Sequence, residues 1–521
     1  MSDIAPNSLN PYLVSTAVSL AAFMEVLDTT IANVSLAHIA GSLGASTEES
    51  TWVLTTYLIS NVIVLALSGW LSALLGRKNF FICCIIGFTI MSFMCGISTS
   101  LPMLILFRLL QGLAGGGLQP VQQAIIKDSF PQEKLGMALA ITGITTVLAP
   151  VLGPVLGGYI TDNYSWRWIF FMNVPVGILS TFLVKIFVLD PPSAKKQKTI
   201  SIDYIGLGLI VMGLGALQIV LDRGQQEDWF SSSFIVFFAC VSAVGLILAV
   251  AWLLKQKNPL IDLKLFKIPS FSMPCIMLFF IGFGLYASSV LLPMLVQEDF
   301  GYNATLAGLV LAPAEIVIIL ALPLVGSLVT RVQARYLISF GMLATALGVW
   351  ATGLVTPQTD YNTFVFVRCL QTVGLPFLFV PAGTLAFSKI SSENSSNASA
   401  IISLMRNLGG SIGIALVTNK LIHSQQIQQA YLVQHLTTAD PGYRSALLNG
   451  TQVITNLGIP SYQASTTAMG KIYQELLHQS SILAFRDAHN FVAILLVVLG
   501  ITALFMPSND PQEKAGEGLA H

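Results

Sequence analysis

The segment FRLLQGLAGGGLQP, at residues 107–120, recurs in altered form as VRCLQTVGLPFLFVP at 367–381. Its arginine, Arg108, matches Arg368 of the second copy, 260 residues later. Both segments are mostly apolar, and in each a glutamine follows this arginine by one helical turn, which is typical of a buried helix. The repeat indicates that the chain contains two related halves.

Composition indicates that most of the surface of this chain faces lipid. Of 521 residues, 54% are hydrophobic and 10% are charged, whereas soluble domains are about 25% charged. So few charged side chains cannot cover a globule in water. The net charge of zero gives no indication of nucleic-acid binding.

We predict fourteen membrane spans, each of about 20 apolar residues. They lie near 13–35, 51–74, 79–99, 102–125, 136–160, 169–189, 203–222, 233–254, 270–296, 305–326, 335–354, 363–387, 400–420 and 487–507. The loops after even-numbered spans and the C-terminal tail contain 15 lysines and arginines, against 6 in the loops after odd-numbered spans. By the positive-inside rule, both termini are predicted to be cytoplasmic.

The spacing of the repeats predicts how these spans are grouped. GWLSALLGRK at 69–78 matches GSLVTRVQAR at 326–335, 257 residues later. The offset maps span 2 onto span 10 and span 4 onto span 12, a shift of eight spans, so six repeated spans and two inserted ones are expected. We predict an all-α membrane protein arranged 6+2+6. Its predicted parts are an N-terminal bundle at 1–189, two linker helices at 190–269, and a C-terminal bundle at 270–521 that includes an outer segment at 421–485.

Several motifs, in order along the chain, resemble those of one transporter family. They are LDTTIANVSLAHIA at 27–40, GWLSALLGRK at 69–78, RLLQGLAGG at 108–116, APVLGPVLGGYI at 149–160, WRWIFFMNVPVG at 166–177, LDRGQQEDWFSS at 221–232, NPLIDLKLFK at 258–267, LVQEDFGYNATLAG at 295–308 and LMRNLGGSIGIAL at 404–416. The chain is similar to the fourteen-span drug:proton antiporters of the major facilitator superfamily (EmrB/QacA type), and most of all to EmrB-type exporters. The parallel halves are also the major facilitator plan.

The resemblance implies a function, a location and partners. We expect a proton-coupled antiporter of the bacterial inner membrane that exports hydrophobic or amphipathic toxic compounds. The alternative is a proton-coupled symporter for a nutrient or siderophore. An EmrA-like periplasmic adaptor and a TolC-like outer-membrane channel are the implied partners. The start of the outer segment, HSQQIQQAYLVQHL, is polar and predicts a helix that projects from span 13.

No enzyme or metal site is predicted. The sequence contains no HExxH or GxxxxGK[ST] motif, so direct use of ATP is not expected. A proton gradient remains as the energy source, with no cofactor. The six cysteines lie in apolar runs without a CxxC pair and are expected to be buried apolar side chains rather than disulfides or metal ligands.

Span 5 contains a glycine–proline motif made of Gly153, Pro154, Gly157 and Gly158. Glycine lets helices approach closely, and proline kinks a helix. Packing alone explains the motif, and a role in conformational change is the alternative. The family resemblance associates the motif with export rather than uptake.

The loop after span 2 retains Gly69 and Arg77 of a superfamily motif but has Ala73 where that motif has aspartate. A salt bridge from position 73 that gates the cytoplasmic side is therefore not expected. Arg77 is predicted to anchor the topology, and a role in conformational change is the alternative.

Glu25, Asp28 and Arg108 are the candidates for proton coupling. The two acids lie three residues apart on one face of span 1. Asp28 and Arg108 each lie about six or seven residues from the outer end of their spans, at a depth of about 10 Å, so they can meet. A permanent ion pair is the alternative to coupling. Asp28 is the preferred coupling acid because it lies in the LDTT motif, and Asp28→Asn is expected to leave folding largely intact.

Substrate contacts are predicted at Glu315, Gln111, Asn33 and Tyr286. Glu315 lies in the middle of span 10, where a carboxylate could bind a cationic substrate, carry a proton or bond a neighbouring helix. Arg368 repeats Arg108, but span 9 has no carboxylate to pair with it, which suggests a structural relic. Arg406 is expected near the cytoplasmic end of span 13, where its side chain can reach water.

Overall fold

The computed structural model of the chain describes residues 10–131, 134–189, 203–256 and 259–506. Every regular element within these ranges is a helix, which confirms the predicted all-α class. The predicted domain boundary at residue 190 and the basic stretch at 195–198 lie outside the described residues.

The first six spans and two short connecting helices form the N-terminal half. The spans are Pro11–Val34 (span 1), Trp52–Leu75 (span 2), Arg77–Gly96 (span 3), Leu101–Gly115 with Leu118–Ser129 (span 4), Leu135–Asn163 (span 5) and Trp168–Phe171 with Asn173–Phe187 (span 6). The helices Leu36–Leu43 and Thr47–Ser50 lie between spans 1 and 2.

Two spans follow the N-terminal half, and six more complete the chain. They are Tyr204–Arg223 (span 7), Ser233–Lys255 (span 8), Pro269–Glu298 (span 9), Ala304–Leu328 (span 10), Ala334–Thr352 (span 11), Tyr361–Thr372 with Pro376–Phe387 (span 12), Ser395–Val433 (span 13) and Ser461–Ala503 (span 14). The helix Pro441–Asn456 lies between spans 13 and 14, and short 3₁₀ helices occur at Trp229–Ser231, Leu263–Lys267 and Ser392–Asn394.

The number of spans agrees with the prediction of fourteen. Thirteen helical segments among the described residues are long and apolar enough to cross a membrane. The remaining predicted span, span 5, is a helix of 29 residues. At about 1.5 Å per residue it exceeds the roughly 30 Å of a bilayer core. Large apolar side chains such as Phe237, Ile247 and Leu320 are exposed on these helices, as a surface solvated by lipid requires.

Polar side chains fix where several spans begin. Asn10, Asp203 and Asn303 precede spans 1, 7 and 10, and each accepts a hydrogen bond from a backbone N–H of the first turn. Asp360 does the same for span 12. These N-caps satisfy donors that have no partner within the helix.

Spans 4 and 12 are each broken in the middle, at equivalent positions of the repeat. Span 4 is interrupted after Gly115, within a run of three glycines, and span 12 is interrupted between Thr372 and Pro376. Glycine weakens a helix and proline cannot donate to the preceding turn. The sequence predicted an unbroken helix for each span. The breaks lie at the glycines of span 4 and next to Gly374 and Pro376 of span 12.

The two halves meet along spans 5 and 10. A Cβ added to Gly136 would lie 3.1 Å from the Gly326 carbonyl oxygen, so the two backbones nearly touch at one end of this pair. Near the other end, Gly308 lies against Val155. Within the C-terminal half, Gly409 and Gly413 of span 13 pack on the backbone of span 9 in the same way. Small residues at these crossings allow close helix packing.

Spans 7 and 8 pack as a pair on the outside of span 2. Gly213 and Gly245 face each other, with a Cβ on Gly245 only 2.9 Å from the Gly213 Cα. At the end of span 7, Asp222 accepts a hydrogen bond from Thr55 of span 2. Gln218 of span 7 also accepts a bond of 3.5 Å from Ser411 of span 13. The division of the chain into domains at 189 and 270 stays a prediction.

Spans 13 and 14 extend far beyond their predicted ends. Span 13 has 39 residues and span 14 has 43, or roughly 60 Å each, which is about twice the thickness of a bilayer core. The predicted projecting helix is confirmed, and the helix that contains span 14 begins 26 residues before the predicted membrane span at 487. Gln428 donates to Asp487 across the two extensions at 3.0 Å. A helix can continue into water with polar side chains, so hydropathy marks the membrane rather than the end of the helix.

Candidate functional site

Asp28 and Arg108 form a buried ion pair in the N-terminal half. Arg108 Nη1 lies 2.6 Å from Asp28 Oδ2. Gln111 Nε2 and Asn173 Nδ2 donate to the other carboxylate oxygen at 3.2 and 2.6 Å. The prediction that Asp28 and Arg108 meet is therefore confirmed, and the carboxylate accepts hydrogen bonds from three donors.

Arg108 is the largest fully buried side chain of the protein's described part. Its Nε donates to the Val53 carbonyl at 3.2 Å, and its guanidinium lies 4.5 Å from the ring centroid of Tyr57 and 5.4 Å from that of Phe170. Aromatic faces stabilise a cation that water cannot reach. The arginine is thus held by spans 1, 2 and 6 together.

Glu25 lies one turn away from Asp28 on span 1, in a different environment. Its carboxylate accepts hydrogen bonds from Gln119 at 2.7 Å, Asn61 at 3.0 Å and Tyr57 at 3.3 Å. All three donors are neutral, and no ion pair involves Glu25 among the described residues. Glu25 is buried. The two acids of span 1 therefore differ: one is matched by an arginine and the other by amides and a phenol.

Arg406 lies inside the protein and not at the edge of span 13, so the sequence expectation for it was wrong. The structural span begins at Ser395, which places Arg406 three turns into the helix. It is 5% exposed, and its Nη2 donates to Gln119 Oε1 at 2.6 Å. Because Gln119 belongs to span 4, this bond joins the two halves.

The C-terminal half contains a second, looser charge pair. Arg368 Nη2 lies 3.9 Å from Glu315 Oε1, so the inference that Arg368 has lost its acidic partner was wrong. The acid is supplied by span 10 rather than by span 9, the counterpart of span 1. Arg368 also donates to Gln371 at 3.0 Å, as Arg108 does to Gln111 at 2.9 Å. Neither carboxylate oxygen of Glu315 accepts a hydrogen bond from any described residue.

The four predicted substrate contacts do not lie together in one site. Gln111 is fully buried between Arg108 and Asp28, whereas Glu315 faces Arg368 in the other half. Asn33 is exposed near the end of span 1. Tyr286 is half-buried on span 9 and packs against Gly410 of span 13. Their role in binding substrate stays a prediction.

The glycine motif of span 5 packs against span 1. A Cβ on Gly153 would lie 2.6 Å from the Thr30 Cβ, and one on Gly157 would lie 3.3 Å from Ile31 Cγ2. Pro154 and Gly158 lie in the same helix. Thr30 and Ile31 lie two and three residues after Asp28 in span 1. The motif therefore packs against the helix that carries Glu25 and Asp28.

Gly69 and Arg77 lie where the halves meet at the end of span 2. Gly69 packs on the backbone of Asn397 at the start of span 13. Arg77 is paired with Asp128 and donates from Nε to Ser396 Oγ at 3.1 Å. Arg77 is therefore buried in a contact between the halves as well as being a basic residue near a loop.

Asp128 was not predicted from the sequence, although it supplies the carboxylate that position 73 lacks. It also accepts a bond from Ser395 at 3.1 Å. Lys127 beside it donates to the Ile390 carbonyl at 3.0 Å and to Ser395 at 2.7 Å. The signal for these residues, and for Asn61, Gln119 and Asn173, was a polar side chain within or ending an apolar span, since such groups need buried partners.

No metal site is evident in the part of the chain that the structure describes. No group of three or more His, Cys, Asp or Glu side chains is placed there to hold an ion. The six cysteines are all free thiols.

Comparison with known proteins identifies the family. The profile of the Major Facilitator Superfamily matches residues 18–414. The chain is 35% identical to the multidrug export protein EmrB of Escherichia coli over 95% of both chains, and 34% identical to the fatty acid resistance protein FarB of Neisseria gonorrhoeae over 93% of this chain and 94% of that protein. A crystal structure of a double-tryptophan mutant of XylE superposes with a TM-score of 0.61 at 12% identity, over 96% of each chain, which supports the fold alone. With a buried charge cluster in each half of a duplicated helical fold, the chain is a multi-pass membrane transporter, not an enzyme, and belongs to the major facilitator superfamily, in the family of the EmrB multidrug export proteins.

Proposed function

We propose that this chain is a proton-coupled antiporter that exports hydrophobic or amphipathic toxic compounds across a bacterial inner membrane. The observation that carries the proposal is the pair of buried acids on span 1, Glu25 and Asp28. Asp28 is paired with Arg108 of span 4, and Glu25 is bonded to Gln119 of the same span, which also contacts the other half. A secondary transporter needs a group that exchanges a proton during the change of conformation. Similarity to multidrug export proteins supports export as the direction.

The contacts of the two acids support different roles for them. Protonating Asp28 would leave the buried Arg108 without a counter-charge, which costs several kcal/mol. The described donors to Glu25 are all neutral, so when Glu25 is protonated no directly bonded cation loses its counter-charge. We therefore favour Glu25 as the acid that exchanges its proton and Asp28 as the acid that holds Arg108. The sequence-based preference was the reverse, and the assignment remains a proposal.

Transport in everted vesicles with an imposed pH gradient tests this function. Accumulation of a hydrophobic dye when the lumen is acidic is the expected result, since the lumen corresponds to the outside of the cell. Depletion under the same gradient would favour the alternative, a proton symporter for a nutrient or siderophore. Glu25→Gln is expected to abolish proton-driven uptake, and transport indifferent to the gradient would contradict the proposal.

Glu315 is our candidate for the binding of cationic substrates. Its carboxylate accepts no hydrogen bond from the described residues and lies 3.9 Å from Arg368, so a cationic ligand displaces few contacts from it. A neutral ligand gains little from a carboxylate in a medium of low dielectric constant. Glu315→Gln should therefore impair efflux of cationic dyes more than that of neutral compounds. Equal losses would indicate proton coupling or folding instead.

The extensions of spans 13 and 14 are our candidate docking site for an EmrA-like adaptor. The transporter, this adaptor and a TolC-like channel would together form a tripartite system. With both termini cytoplasmic, as predicted, residues 421–485 lie in the periplasm. Leu448, Leu457 and Tyr462 are 71%, 77% and 77% exposed there. Exposed apolar side chains outside the bilayer indicate a protein contact.

Replacing Leu448, Leu457 and Tyr462 by asparagine tests the docking site. The expected result is loss of copurification with the adaptor, while transport in vesicles, which needs no outer-membrane channel, continues. Replacing the exposed, polar Gln463 and Lys471 of the same segment is the matched control. Copurification of the triple variant at the level of the unchanged protein would place the docking site elsewhere.

A further inference from the structure

Arg406 is a buried cation without a bound carboxylate. It is 5% exposed, no ion pair involves it within the described residues, and its Nε has no hydrogen-bond partner there. An unbalanced charge inside a protein costs several kcal/mol. Access to water from the membrane edge therefore does not explain this arginine.

The nearest bonded route from Arg406 to an acid runs through one amide. Gln119 accepts from Arg406 with its carbonyl oxygen at 2.6 Å and donates from its amide nitrogen to Glu25 Oε2 at 2.7 Å. The two ends of the amide thus face charges of opposite sign, in the direction that its dipole favours. Hydrogen bonds to ionised groups are about twice as strong as bonds between neutral ones.

This bridge crosses the boundary between the halves. Glu25 and Gln119 belong to spans 1 and 4, whereas Arg406 belongs to span 13. Span 13 is packed on span 9 through close backbone contacts at Gly282 and Gly409. Arg406 therefore moves with the C-terminal half, and any rearrangement of the halves at this depth must break its bond to Gln119.

We propose that Gln119 and Arg406 are positioning residues that transmit the protonation state of Glu25 to the C-terminal half. When Glu25 carries its charge, it orients the Gln119 amide and the bridge holds the halves in the present arrangement. A proton on Glu25 weakens its bond to Gln119, because a neutral acid is the poorer acceptor. The amide is then free to turn, Arg406 loses its ordered acceptor, and the halves can rearrange. The proposal rests on proton coupling as the proposed function.

The charged and titratable groups around the bridge are few. Glu25 and the groups bonded to it face Asp28 on the same span, Tyr57 on span 2, Arg108 on span 4, Tyr286 on span 9 and Arg406 on span 13. Of these, only Arg406 and Tyr286 belong to the C-terminal half, and only Arg406 is bonded to the bridge.

Distances between spin labels on the two halves, measured in acidic and alkaline buffer, test the proposal. Tyr164→Cys and Gln358→Cys place labels at exposed sites at the ends of spans 5 and 11, after the exposed Cys83 and Cys240 are replaced by serine. In protein with Gln119 and Arg406 unchanged, the label distance in alkaline buffer should be that of the present arrangement. In acidic buffer a second label distance should become populated. Gln119→Leu and Arg406→Gln should shift the alkaline equilibrium about tenfold towards the second distance, as loss of a bond to a charged group implies, and abolish its response to pH.

Matched variants separate transmission from a structural role. Gln122→Leu removes another buried amide of span 4 that bonds span 1, through Ser19 at 2.8 Å, but has no bond to the C-terminal half. It should keep the response to pH, and Arg406→Lys should restore part of it, because lysine can donate to Gln119. A normal response to pH in Arg406→Gln, or in Gln119→Leu, would refute the bridge. The bridge would also be refuted if the wild-type distance did not change with pH although the protein released protons on binding substrate. If the protein released no protons on binding substrate, the proposed function itself would be refuted.

Discussion

Asp28→Asn should destabilise the protein strongly, contrary to what the sequence alone led us to expect. The substitution keeps the shape of the side chain but removes the charge that balances Arg108, 2.6 Å away. At an effective dielectric constant of about 20, the direct attraction at that distance is about 6 kcal/mol. Removal of one partner of a buried pair typically costs about 3–5 kcal/mol after relaxation. We expect a loss near 4 kcal/mol, since Asn173 and Gln111 lose a charged acceptor as well.

Glu315→Gln is the matched comparison. The pair that it breaks is longer, 3.9 Å, and its carboxylate accepts no hydrogen bond from any described residue. The corresponding attraction is about 4 kcal/mol at the same dielectric constant. Unlike Asp28, Glu315 has no hydrogen bonds from neutral described residues that the substitution would also weaken. The loss should therefore be roughly half of that for Asp28→Asn.

Unfolding of the purified protein in mixed micelles, titrated with a denaturing detergent, measures both losses. Asp28→Asn combined with Arg108→Gln should be more stable than Asp28→Asn alone, because no buried charge is then left unpaired. Equal stabilities for Asp28→Asn and Glu315→Gln, or no gain in the double variant, would refute the assignment of Arg108 as a cation held chiefly by Asp28.

Three further substitutions test other parts of the structure. Gly153→Ala should cost about 1–3 kcal/mol of stability through overpacking against Thr30, whereas Gly208→Ala, with open space around it, should cost nothing measurable by the same titration. Asp128 binds both Arg77 and Ser395, so Asp128→Asn should loosen the start of span 13 against span 3, and a cysteine at Ser396 should react faster with a thiol reagent; an unchanged rate would exclude a gate here. Burial raises the pKa of Asp299, opposed by the Ser481 hydroxyl and His478. Its contribution to stability is then full below about pH 4, the ordinary value, and is lost as the pH rises through the higher folded value. When the pH is raised from acid to neutral, the extensions of spans 13 and 14 should therefore lose less protease resistance in Asp299→Asn than in the wild type.

The Asp28–Arg108 pair could be predicted because it depends on local quantities. Hydropathy locates spans 1 and 4, and the rise per residue converts position into depth. Two opposite charges at the same depth in the apolar interior of one bundle have a strong reason to meet. The prediction needed no knowledge of how the bundle is arranged beyond its existence.

The partner of Arg368 could not be predicted in this way. The repeat maps span 1 onto span 9, so the acid was sought on span 9, and none is there. In the structure, Glu315 approaches from span 10. Duplication preserves the backbone plan, but a buried guanidinium needs only a carboxylate within reach, and any neighbouring helix can supply it.

The prediction for Arg406 was wrong for a different reason, which concerns contacts between the halves. Its side chain was expected to reach water because Arg406 lies six residues from the edge of the apolar run near residue 400. In the structure the side chain is buried instead and donates to Gln119 of span 4. The bond to Gln119 depends on a side chain of the other half, so no pattern within span 13 could have indicated it.

The contrast between the two charge pairs bears on how the halves divide their tasks. Each half retains an arginine bonded to the glutamine three residues later, at 2.9 and 3.0 Å. In the N-terminal half that unit binds the carboxylate of Asp28, which accepts hydrogen bonds from three donors, and a new ligand on this carboxylate would have to displace them. In the described part of the C-terminal half, no residue donates a hydrogen bond to the carboxylate of Glu315. A ligand therefore displaces fewer bonds at Glu315 than at Asp28. A proton costs less at Glu25 than at Asp28, because the three donors of Glu25 are neutral, whereas a proton on Asp28 leaves Arg108 without its counter-charge. This difference supports a scheme in which Asp28 and Arg108 maintain the N-terminal bundle, Glu25 exchanges the proton, and Glu315 meets the substrate.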